Sequence, residues 1–135
     1  MAVNVRIGCP DGFEPLPGVL DQARALAVAG AQIEVTSDPV AAVRGAQALY
    51  TDVWASMGQE QEQAEREQAF KGFCLDEALL AEADPQAIVL HCLPAHRDEE
   101  ISAGVMESAS SRIFDQAENR LHAQQALLAV LLGGL

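Results

Sequence analysis

The residues best suited to chemistry lie in two short stretches. One is His91-Cys92-Leu93-Pro94-Ala95-His96-Arg97, directly behind the apolar run Ala87-Ile88-Val89-Leu90. The other is Asp52-Val53-Trp54-Ala55-Ser56-Met57-Gly58, behind Ala48-Leu49-Tyr50-Thr51. A carboxylate such as Asp52 can hold an ammonium group through a charge-assisted hydrogen bond, or it can brace the turn after its strand. Cys92 offers a thiol, although a cysteine at a strand end is often only a small buried residue. Arg97 could grip a carboxylate or phosphate with two parallel N–H donors. His91 and His96 could equally be polar loop residues, and Ser56-Met57-Gly58 alone reads as a turn.

Both stretches need a frame, and the apolar runs before them read as short strands bounded by Pro and Gly. Val3-Asn4-Val5-Arg6-Ile7 alternates as a strand should, and Ile33-Glu34-Val35-Thr36 is another. Helices are expected over 19–29, stopped by Gly30, and after Ser37 or Asp38 with Pro39 in the first turn. Further helices are expected over 59–70, 75–83, 99–107 with Asp98 as cap, and 116–132. The order β-α-β-α-β-α-α-β-α, with crossovers long enough for helices, predicts an α/β domain. Its expected form is a parallel sheet of about four strands with helices on both faces, Rossmann-like. In such sheets ligands sit outside the carboxyl ends of the strands, where both stretches fall.

A chain of 135 residues predicts one domain. Half the residues are apolar and only 4% aromatic, so the core should be aliphatic. The net charge of −12 argues against nucleic acid or an anionic membrane as partner. The acidic groups Glu60-Glu62-Glu65-Glu67 and Asp98-Glu99-Glu100 read as solvated helix faces or helix starts. No apolar run is long enough to span a bilayer and no signal-peptide pattern opens the sequence. Cys9, Cys74 and Cys92 form no paired motif, which fits free thiols in the cytoplasm. The GxGxxG and GxxxxGK[ST] loops are absent, as is a hydrolase elbow, so no cofactor and no metal is expected.

Together with Asp115-Gln116-Ala117-Glu118-Asn119-Arg120, the two stretches resemble three signature segments of the second domain of ornithine carbamoyltransferases. Cys9-Pro10-Asp11-Gly12-Phe13-Glu14-Pro15 resembles the loop after that domain's second strand. The similarity covers nearly the whole chain in the family's order and spacing. It implies carbamoyl transfer: a neutral ornithine δ-amine attacks the carbonyl carbon of carbamoyl phosphate, giving citrulline and phosphate. Asp52, Cys92 and Arg120 would be the catalytic residues. Asp52 would take the α-amino group, and Ser56 and Met57 would contact the amino-acid end that putrescine lacks. The carbonyl oxygens of Cys92 and Leu93 would receive the carbamoyl NH₂, a match of acceptors to a donor. Arg97 joins the substrate-binding set. Arg120, which by position alone reads as half of a surface ion pair, would bind carbamoyl phosphate and polarise its carbonyl oxygen. Aspartate carbamoyltransferases carry His-Pro-Leu-Pro where this chain has His91-Cys92-Leu93-Pro94, so Cys92 marks the ornithine branch.

The same resemblance implies that residues 1–135 lack a carbamoyl-phosphate domain and the first strand of their own domain. The expected chain is therefore the ornithine-binding part of the enzyme, inactive in isolation. The alternatives are a stand-alone amino-acid-binding or regulatory domain, or a remnant that binds nothing. Ala126-Leu127-Leu128-Ala129-Val130-Leu131-Leu132 is apolar on every side of a helix and predicts a homo-oligomer formed through the C-terminal helix. The competing possibility is that this helix folds back onto the chain's own sheet.

Overall fold

A computed structural model describes residues 2–28, 30–55 and 63–133. Among these residues four strands are present: β1 (Val5–Gly8), β2 (Ile33–Thr36), β3 (Ala48–Thr51) and β4 (Ile88–His91). Six helices accompany them among the described residues: α1 (Pro17–Leu26), α2 (Pro39–Val43), α3 (Gln63–Ala69), α4 (Glu77–Glu82), α5 (Ala103–Met106) and α6 (Ile113–Leu131). The α/β class and the parallel pairing agree with the sequence. The single ladder of four strands does not form: β1 pairs with β2 and β3 with β4, as two separate parallel pairs.

Local chemistry explains most element ends. Asp38 accepts N–H bonds from Val40 and Ala41 at 2.9 and 3.1 Å, and Pro39 starts α2 without an amide to satisfy. Asp76 caps α4 through the Leu79 N–H at 2.8 Å. The cap of α5 is Ser102, not Asp98; Asp98 sits at φ 66° and reaches only the Ala103 N–H, at 3.3 Å. α1 begins two residues earlier than the sequence suggests, at Pro17, because proline is preorganised for a first helical turn. Gly8 is needed for packing, since a Cβ there would lie 2.9 Å from Ala42 Cβ on α2. Arg6 closes the same contact, donating to the Ala41 and Arg44 carbonyls at 2.8 and 2.7 Å where α2 ends.

The core is aliphatic, as composition implies, but it sits in one half of the molecule. Leu49, Leu75, Val89, Ile101, Val105, Met106 and Ile113 pack around β3 and β4. Among the described residues around β1 and β2, only Cys9 and Pro10 are buried, and α1 buries none. α6 is anchored by buried Ile113 and then runs outward. Leu127, Leu128 and Leu131 are 58%, 57% and 71% exposed, so the helix does not fold back onto its own sheet.

Candidate functional site

The register of β3 and β4 pairs Thr51 with His91, so the next residues, Asp52 and Cys92, leave the sheet side by side. Cys92 Sγ donates to Asp52 Oδ1 at 3.0 Å, and the same oxygen accepts the Val53 N–H at 2.8 Å. No hydrogen bond reaches Asp52 Oδ2 among the described residues, and Asp52 is exposed. This carboxylate therefore keeps one oxygen free for a cation. Burial pushes the Cys92 thiol pKa up, the Asp52 hydrogen bond and charge push it further, and a hydrogen bond from Tyr50 acts the other way. At neutral pH Cys92 is thus a thiol donor held by a carboxylate, not a nucleophilic thiolate.

The turn after β4 is set by His91, which is fully buried. Its Nδ1 accepts the Leu93 N–H at 2.8 Å, which leaves Nε2 as the protonated nitrogen, facing Glu100 Oε1 at 3.1 Å. Glu100 Oε1 also accepts the His96 N–H at 2.7 Å, so one carboxylate oxygen ties both ends of the turn. Leu93 has φ 58° and its bond to Pro94 is cis. The Cys92 and Leu93 carbonyls accept no hydrogen bond among the described residues. They remain available to an N–H donor from outside.

Two contributors escaped the sequence reading. Glu100 was expected on a solvated helix start, yet it is fully buried, and its Oε2 has no partner among the described residues. Nothing in its acidic neighbourhood separates it from Asp98 or Glu99. Gln116 was quoted only as part of a motif. Its Oε1 accepts the His91 N–H at 3.1 Å and its Nε2 donates to the Tyr50 hydroxyl at 3.3 Å, latching α6 to both strands.

Trp54 stacks on Phe70 at 5.9 Å, and Phe70 meets Phe13 and Phe73 edge-on, at 5.1 and 5.9 Å. These contacts bring the loop after β1 and the end of α3 up against the exit of β3. Arg66 joins them, with its guanidinium 5.4 Å from the Phe13 ring centre and a bond to the Trp54 carbonyl at 3.3 Å.

The remaining sequence candidates fall differently. Arg97 is engaged in a surface ion pair with Glu107 at 2.6 Å. Arg120 is exposed on α6 and pairs with neither acidic neighbour: Asp115 lies 3.9 Å from Arg112, and Glu118 lies 3.9 Å from His122. It has no partner among the described residues. Ser56 and Met57 lie outside the described residues. His96, Glu99 and Glu100 place ligand-type atoms within 4.8 Å of one another. His96 already faces Glu99 at 3.5 Å, and Glu100 Oε1 is committed to the turn. No helix among the described residues is long and apolar enough to cross a membrane.

Comparison with known proteins gives a consistent result. Residues 1–131 match the family model described as the aspartate/ornithine carbamoyltransferase, Asp/Orn binding domain. An ornithine carbamoyltransferase of Parasynechococcus marenigrum is 80% identical over all 135 residues, which make up 42% of that relative. One from Synechococcus elongatus is 56% identical over the same span, 44% of its length. The solved ornithine carbamoyltransferase of Pyrococcus furiosus superposes on 98% of this chain with a TM-score of 0.87 and 46% identity, using 43% of its own length. That of Gloeobacter violaceus superposes on 95% with a TM-score of 0.84 and 48% identity. The chain thus spans less than half the length of the relatives it matches.

Proposed function

The chain belongs to the aspartate/ornithine carbamoyltransferase family, and from that premise we propose that residues 1–135 form the ornithine-binding part of an ornithine carbamoyltransferase. The observation that carries this reading is the 3.0 Å contact between Cys92 and Asp52 at two adjacent strand exits. Asp52 Oδ2 takes the α-ammonium of ornithine, while Oδ1 stays tied to Cys92 and Val53. Ser56 and Met57 complete the amino-acid end. The δ-amine, delivered past the Cys92 thiol, attacks the carbonyl carbon of carbamoyl phosphate; its lost proton and the phosphate leave as citrulline forms. The open carbonyls of Cys92 and Leu93 orient the carbamoyl NH₂, and Arg120 supplies positive charge to the carbonyl oxygen.

Cations within this chain are scarce at the site. Arg97 is paired with Glu107, so of the two arginines in the signature segments Arg120 is the one without a partner among the described residues to face a dianionic substrate and a developing oxyanion. Loss of one oxyanion donor typically lowers kcat by ~10²–10³, so residues 1–135 alone bind ornithine without turning it over. Carbamoyl phosphate binding requires further cationic groups from polypeptide outside these residues. The setting is cytoplasmic, where the three thiols stay reduced, and the exposed end of α6 is where copies associate.

Calorimetric titration with ornithine, with and without carbamoyl phosphate, tests the reading. Ornithine is expected to bind more tightly than putrescine, and Asp52→Ala is expected to abolish the difference. No ornithine heat, or equal binding of the diamine, refutes the assignment. Citrulline production at rates typical of enzymes, on the order of 1–10³ s⁻¹, would refute the claim that these residues are inactive alone.

A further inference from the structure

Five residues at the exits of β3 and β4 and the start of α6 form one hydrogen-bonded series, His91, Gln116, Tyr50, Cys92 and Asp52. The His91 N–H donates to Gln116 Oε1 at 3.1 Å, and Gln116 Nε2 donates to the Tyr50 hydroxyl at 3.3 Å. That hydroxyl donates to Cys92, whose Sγ donates to Asp52 Oδ1 at 3.0 Å. The direction is set at the start. A backbone N–H can only donate, so it takes the oxygen of the amide and turns the NH₂ towards Tyr50. The hydroxyl accepts there and has one proton to give, which Cys92 Sγ receives. The thiol also has one proton, and an ionised carboxylate can only accept it.

Neither intermediate link is needed to hold the fold. α6 is docked without the amide, since Ile113 is buried and the Arg112 N–H donates to the Val89 carbonyl at 2.8 Å. Tyr50 is 59% exposed, so its hydroxyl is not there to satisfy a buried core. The partners act on both acids in the senses that this direction requires. Partial burial raises the Tyr50 hydroxyl pKa most, the Gln116 bond lowers it, and donation to Cys92 raises it. On Cys92, burial and Asp52 raise the thiol pKa and the Tyr50 bond lowers it. Asp52 and Tyr50, both from the β3 side, are thus the titratable groups that face the thiol. α6 brings the neutral Gln116, and the His91 ring at the end of β4 is turned to Leu93 and Glu100.

We propose that Gln116 and Tyr50 are positioning residues for the Cys92–Asp52 pair. Acting through Cys92, they hold Sγ as an acceptor on one side, so that its proton points to Asp52 Oδ1 and Oδ2 is the oxygen left to meet a cation. The same amide commits α6, the helix that carries Arg120, to both strand exits. Which cation meets Oδ2 rests on the ornithine reading. The series itself does not, and separate measurements test the two.

The test is the pH dependence of Cys92 alkylation by iodoacetamide in the 135-residue protein carrying Cys9→Ser and Cys74→Ser. Tyr50→Phe removes the donor to Sγ and is expected to move the midpoint to higher pH. Gln116→Met, of similar size, is expected to move it the same way, but to leave it unmoved in the Tyr50→Phe background, because the amide acts through the hydroxyl. A merely structural role has the opposite sign, since loosening the site hydrates the thiol and lowers its midpoint. A midpoint that stays or falls in Tyr50→Phe overturns the proposal, as does an equal shift on Gln116→Met in both backgrounds. If Gln116→Met does not fold, Gln116→Glu keeps the acceptor for the His91 N–H and loses only the donor; its upward shift should then be larger with Tyr50 than in Tyr50→Phe, and an equal one overturns the proposal. In calorimetry, Tyr50→Phe is expected to weaken ornithine binding by about two- to tenfold, and an unchanged affinity overturns the positioning role. Alkylation shifts as expected in a protein that binds no ornithine leave the series standing and remove only the ornithine reading.

Discussion

Replacing Glu100 with alanine should destabilise the domain far more than its place in an acidic run suggests. The side chain is fully buried, and its Oε1 accepts two N–H groups, from the His91 ring at 3.1 Å and the His96 backbone at 2.7 Å. Each buried donor left without an acceptor costs about 1–3 kcal/mol. Partly offsetting this, the variant removes Oε2, which has no partner among the described residues, and relieves the desolvation of a carboxylate. The expected net loss is about 2–4 kcal/mol, read from urea unfolding followed by circular dichroism. For a chain of this size that is a fall in Tm of roughly 4 °C per kcal/mol. Glu100→Gln keeps the volume and an acceptor oxygen but introduces an NH₂ where no acceptor waits. It should lose about 1–3 kcal/mol, less than alanine. A loss under about 0.5 kcal/mol for Glu100→Ala would put it among ordinary surface changes and refute the buried tie.

Asp52→Asn, in a Cys9→Ser, Cys74→Ser background, should move the pH midpoint of Cys92 alkylation downwards, because it removes a charge that holds the thiol protonated; an unmoved midpoint would mean that Asp52 does not face the thiol in solution. The raised thiol pKa stabilises the fold at pH below the unfolded thiol's range, and that contribution is lost as pH rises through the folded value. Asp38→Ala should lower stability by about 1 kcal/mol through loss of the α2 cap, measured by the same urea transition. Light scattering at micromolar concentration should report an oligomer, and Leu127→Glu with Leu131→Glu should return it to monomer; a monomeric parent chain would refute association through α6.

What the sequence made legible follows from the range of the forces involved. β2 was read to the residue, and the α2 cap was narrowed to Ser37 or Asp38, because strand alternation and capping are encoded within a few positions; Asp76, the cap of α4, was placed inside the expected helix over 75–83. The convergence of Asp52 and Cys92 was also legible, since two parallel strands with loops at the same ends must deliver them together. The boundaries at Pro17 and Ser102 were missed by a few residues, where a second plausible cap stood nearby.

Glu100 and the split sheet were not legible, and for one physical reason. Burial of a charge and completion of a sheet depend on what lies opposite in space, and neither partner is a sequence neighbour with a distinctive signature. Glu100 is buried because β4 ends in a histidine whose second nitrogen is already satisfied by Leu93, so that the first must look across nine residues for an acceptor. That requirement reverses the expectation drawn from three consecutive acidic residues. The same logic links site to fold: His91 carries the backbone N–H that Gln116 accepts, and Gln116 in turn donates to the Tyr50 hydroxyl at 3.3 Å. Strand, latch and turn are therefore consecutive links of one hydrogen-bonded chain.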